Sequence, residues 1–136
     1  MKKYYFIHFS FLILGSVIFF LVSKRVEHLY FFLFGFCWNF TFLTPGMIEK
    51  IKSRRYRFSL LRLTYVIHDG VGKLLKFLAN RELVLIQDLV APLAFYLPFA
   101  LVFDSAIHFI PLLMGASFFE ISHFLVKKIA KTNDLV

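Results

Sequence analysis

A single cysteine, Cys37, stands in the whole chain, so an internal disulfide is excluded and no oxidising compartment is implied. Acidic residues are also scarce, with eight Asp plus Glu facing sixteen Lys plus Arg. Only four prolines and six glycines punctuate 136 residues, which favours a few long elements over many short ones. No Gly-x-Ser-x-Gly, no His-Glu-x-x-His and no cysteine pair occurs. Nothing therefore supports nucleophilic catalysis or a motif-built zinc site. Gly70-Val71-Gly72-Lys73 falls short of a phosphate loop, because Ile67 stands where Gly is needed and Leu74 where Ser or Thr is needed. His68-Asp69 has no second metal-ligand histidine in its loop, and Arg62, Lys73 and Lys76 crowd it with charge.

Apolar surface is what the chain has in abundance. Hydrophobic residues make up 60% of it, twenty of them Phe, and the mean hydropathy is +0.74. Soluble domains sit nearer half apolar. The long apolar runs read as an all-α membrane protein of four transmembrane helices, spanning about 4–22, 27–43, 83–103 and 107–126. The whole of 1–136 then forms one bundle, with no room for a separate soluble catalytic domain. Met1-Lys2-Lys3 before the first apolar run looks like a signal peptide. No small-x-small cleavage site precedes Ser23-Lys24-Arg25, so the run is expected to stay as an uncleaved first helix. Thr44-Pro45-Gly46 ends the second span.

Residues 47–82 form a basic loop. Val71, Leu74, Leu75 and Leu78 share one helical face in it, with Asp69 placed as a cap and Lys73, Lys76 and Asn80 pointing elsewhere. One or two amphipathic helices on the headgroup surface are expected, with Arg54, Arg55, Lys73, Lys76 and Arg81 toward lipid phosphates. A basic balance of this kind belongs to positive-inside loops and anionic lipids rather than to nucleic acid. With both chain ends inside, fourteen Lys and Arg lie on the inner side and only Lys24 and Arg25 outside. The expected topology is N-in/C-in, with a bacterial inner membrane as the default location.

Ionisable groups inside spans are costly, so they are the best pointers to a site. From the helical rise, His8 and Asn39 lie roughly 6 Å, Asp88 about 8 Å, Glu120 about 9 Å and His123 about 5 Å from the inner ends of their helices. All four helices thus bring a polar group to one level. His8, Asp88, Glu120 and His123 form the candidate cluster. It could serve as an interhelical packing network, a proton relay or acid–base pair, or a transition-metal site. Glu120 and His123 have the Glu-x-x-His spacing of di-iron bundles, but only one such motif is present. A second group, His28, Asp104 and His108, falls at the outer end.

The opening Lys2-Lys3-Tyr4-Tyr5-Phe6, and Leu43-Thr44-Pro45 before a charged loop, resemble bacteriocin immunity proteins over a minor part of the chain and without a diagnostic motif. That resemblance implies binding of a toxin's membrane helices, which needs no catalytic residue. The expected function is a non-enzymatic accessory, assembly or immunity-type protein. It would contact a membrane partner, or a second copy of itself, helix to helix and carry no cofactor. The alternative is a small membrane enzyme or ion-coupled carrier built on the polar cluster.

Overall fold

The computed structural model describes residues 2–44, 46–53 and 59–133. It is all-helical, with no strand among the described residues. In chain order the described helices are α1 (Lys2–Ser23), α2 (Val26–Leu43), α3 (Met47–Lys52), α4 (Leu60–Ala79), α5 (Val84–Phe103) and α6 (Phe109–Asn133), with a 3₁₀ turn at Ala106–His108 before α6. Among the described residues, three stretches are long and apolar enough to cross a membrane: Lys3–Ser23, Val84–Phe103 and Ala106–Ile129. The expected second span is a helix of 18 residues that opens on Val26, Glu27 and His28. Its apolar part is correspondingly short.

Left-handed residues make three of the turns: Lys24 between α1 and α2, Asn80 after α4 and Asp104 after α5. Asn and Asp tolerate that conformation because their short side chains can bond locally. Lys24 is the costlier choice, and the following Arg25 pairs with Glu27 at 2.7 Å. α5 carries both Pro92 and Pro98 within one continuous helix.

At the centre, α2 packs against α6. A Cβ on Gly35 would collide with the Leu112 carbonyl oxygen, and one on Gly115 with the Phe32 carbonyl oxygen. The two glycines therefore let the backbones approach reciprocally. Small residues serve this purpose in membrane helix pairs, where packing rather than water exclusion drives association. Around the crossing lie fully buried Phe36, Leu112, Ala116 and Phe119. One end of the bundle holds a core of Trp38, Phe42, Ile51 and Ala91, covered by Tyr65, Ile67 and Val71 of α4 and by Met47 and Ile48 of α3. The opposite end holds Tyr96, Ala100 and Leu112 with Phe31, Leu93 and Phe109.

Helix α4 differs from its expected form in two ways. It begins at Leu60, where Ser59 accepts from the Arg62 N–H as the N-cap. Asp69 is therefore mid-helix and pairs with Lys73 at 2.8 Å instead of capping. The face turned to the bundle is Thr64, His68, Val71 and Leu75, whereas Leu74 and Leu78 are exposed together with Phe77. His68 finds partners on that face in Trp38 and Asp88, while the Thr64 hydroxyl is satisfied within α4 by the Leu61 carbonyl. α6 also runs past the expected end at Val126, through Lys127 and Lys128 to Asn133.

Candidate functional site

The buried polar side chains among the described residues gather at the α4 end of the bundle, on two sides of α6. On one side, His8 of α1 is fully buried. Its Nδ1 lies 2.9 Å from Ser122 Oγ of α6. The ring stacks on Phe119, with centroids 4.8 Å apart, and faces His123 at 5.8 Å. Tyr4 and Phe40 approach it edge-on. His8 Nε2 and His123 Nδ1 have no hydrogen-bond partner among the described residues.

On the other side, Asp88 of α5 is 2% exposed. Its carboxyl group lies against that of Glu120. Asn39 of α2 donates from Nδ2 to the Ala116 carbonyl at 3.3 Å and to Glu120 Oε1 at 3.4 Å. Asp88 Oδ1 also lies 3.6 Å from Nε2 of His68.

His68 is the residue that sequence reasoning set aside. It is 7% exposed and stacks on Phe42, centroids 4.5 Å apart. Trp38 donates its indole N–H to His68 Nδ1 at 3.3 Å. Nδ1 is therefore an acceptor, which puts the ring's own proton on Nε2, toward Asp88. Protonating Nδ1 would set two N–H groups against each other. Burial also pushes the His68 imidazole down to about 4 from its usual 6.5, so the ring is neutral at pH 7. Gln87 secures the same turn of α4, donating to the His68 carbonyl at 2.9 Å. Gly72 leaves the room that this Gln87 amide occupies. The result is a line of contacts, Trp38–His68–Asp88–Glu120–Asn39, joining α2, α4, α5 and α6.

The four candidate residues thus fall into two pairs, His8 with His123 and Asp88 with Glu120. Among the described residues no group of three or more His, Cys, Asp and Glu is placed to hold a metal ion, so the geometry lends the transition-metal option no support. A cleft of about 410 Å³ reaches Glu120 and His123 from outside the bundle, with Leu85, Phe124 and Lys127 around it.

No family model, curated protein or solved structure matches the chain.

Of the second group, His28 and His108 meet edge to face at 5.6 Å, and His108 stacks on Phe31 at 4.3 Å. Asp104 is exposed and serves as the left-handed C-cap of α5. Of the expected phosphate-contacting residues, Arg54 and Arg55 lie outside the described residues. Lys73 is paired with Asp69, and Lys76 with Glu82 at 3.2 Å. Arg81 is exposed.

Sequence reasoning missed His68, Trp38 and Ser122. The missed signal for His68 was its spacing: Thr64, His68, Val71 and Leu75 repeat at four, three and four residues, a helical face as regular as the leucine face chosen instead.

Proposed function

We propose that this chain is a four-span, N-in/C-in membrane protein that acts without catalysis, through helix–helix contact with another membrane protein. α2 is the short second span, and α3 and α4 lie along the inner surface, where the positive-inside bias puts the basic loop. The observation that carries the reading is the contrast of α1 with the rest of the bundle. Only 11% of its spanning window is buried, against 39% for the last span. Phe6, Phe9, Ile13 and Val17 form an exposed stripe along it, at the three- and four-residue spacing that a partner helix packs against. Meanwhile the polar groups of the bundle mostly face one another, as packing contacts do.

Lipid tails would cover that stripe equally well, so the test is isolation. Gentle purification of the tagged protein from its native membrane, with mass spectrometry of what accompanies it, should recover a stoichiometric membrane partner. A solitary protein, whose loss changes no other protein's level, would contradict the reading.

One observation favours a second reading, an ion-coupled carrier or small membrane enzyme. Two carboxyl groups in contact inside a bundle are an expensive way to fix packing. A cleft reaches one of them. Glu120→Gln separates the two readings. Lost activity at normal abundance supports a proton or ion site; lost abundance supports packing.

A further inference from the structure

Where α4 hands over to α5, a crevice of about 290 Å³ opens between the two helices. It is mixed in charge. Lys73 and Lys76 line it together with Asp69 and Glu82, and apolar Leu83 and Val84 form its wall at the start of the α5 span. Lys73 Nζ sits 2.8 Å from Asp69 Oδ2, and Lys76 Nζ 3.2 Å from Glu82 Oε1. Two cations and two anions cancel, so the crevice offers no net attraction to an anionic headgroup. Both pairs are largely exposed: the lysine side chains are 78% and 62% accessible. Exposed ion pairs contribute little and rearrange easily.

We infer that this crevice binds the headgroup of a zwitterionic phospholipid bearing a primary ammonium, of the phosphoethanolamine type, resting on the surface placement of α4 proposed above. The lysines take the phosphate oxygens, and Asp69 and Glu82 take the ammonium, which donates three hydrogen bonds. The acyl chains leave along Leu83 and Val84 and the exposed Leu74, Phe77 and Leu78 of α4. A trimethylated choline headgroup has no N–H to donate, and a glycerol headgroup has no cation. The site therefore prefers phosphatidylethanolamine to both.

The full chain, held in mild detergent, is offered phosphatidylethanolamine, phosphatidylcholine and phosphatidylglycerol of identical acyl chains, and retained lipid is counted by native mass spectrometry. The expected result is a preference of roughly five-fold for phosphatidylethanolamine, the scale of one exposed charge pair. Asp69→Asn with Glu82→Gln should abolish it and turn the preference to phosphatidylglycerol, because two unpaired lysines remain. Equal retention of ethanolamine and choline lipids by the unmodified chain, or a preference for the glycerol lipid, would overturn the inference without any variant. Competition by soluble phosphoethanolamine as effective as that by the lipid would also overturn it, since the ligand would then be a free phosphate ester. A depth-sensitive fluorophore at Leu78 reports separately whether α4 lies on the bilayer surface, so failure of that placement is distinguishable from failure of the site.

Discussion

Helices α1 and α6 both carry long apolar stretches, yet the bundle treats them differently. α6 is locked to α2 by backbone contact at Gly35 and Gly115 and lies beside Asp88, Asn39 and His8. α1 is held by His8 on Ser122, by a long contact of the Tyr4 hydroxyl to the Leu43 carbonyl at 3.4 Å, and by aromatic contacts such as Phe19 stacked on Phe32. In a membrane, apolarity alone does not pull two helices together, because lipid tails are as apolar as Leu. Small residues and polar groups make the difference. α6 has both at its contacts, and α1 has few. Hydropathy therefore says where a helix sits, and the rarer residues say what it sits against.

The largest expected effect lies in the α2–α6 seam. Gly35→Leu or Gly115→Leu drives a side chain into facing backbone that cannot yield, and should cost about 3 kcal/mol. Unfolding of the detergent-solubilised variants would measure it. Near-normal stability would show that the seam is no tighter than the α1 contact, and the comparison would fail.

Next comes the polar line that docks α4. The folded His68 imidazole is held at about 4, below its usual 6.5, so between those values the unfolded chain binds the extra proton. The stabilisation is complete above pH 6.5 and is lost as pH falls toward 4, by at most about 3 kcal/mol. Trp38 is the only tryptophan and touches this ring, so its fluorescence reports the change directly. Trp38→Phe removes the N–H that opposes Nδ1 protonation. Its stability should be lower at pH 7 and should depend less on pH across that window. A steeper dependence in Trp38→Phe would contradict the assigned tautomer.

The smallest effect belongs to α1. His8→Leu removes one interhelical hydrogen bond and should cost only about 0.6 kcal/mol, the average for such bonds in a membrane protein. A loss comparable to the glycine variants would mean that α1 is as firmly built into the bundle as α6.

His8, Asn39, Asp88, Glu120 and His123 could be picked out in the sequence, because ionisable and amide groups stand out within apolar runs. How they pair was not legible. Two helices separated by the whole chain meet at His8 and Ser122, and no local pattern encodes the rotation of α1 about its axis. His68 was obscured by its neighbours, since Arg62, Lys73 and Lys76 crowd that stretch with charge. The pairing of Lys73 with Asp69 is an ordinary i, i+4 relation and could have been read directly.

The most direct test of the account is a photo-crosslinking residue placed in turn at Phe9 and Ile13 on α1 and at Ile121 on α6, activated in the native membrane. The account predicts a protein adduct of one defined mass from the two α1 positions and lipid adducts alone from Ile121. Lipid adducts alone from all three positions would contradict it, and would move the function to the carboxyl pair of Asp88 and Glu120.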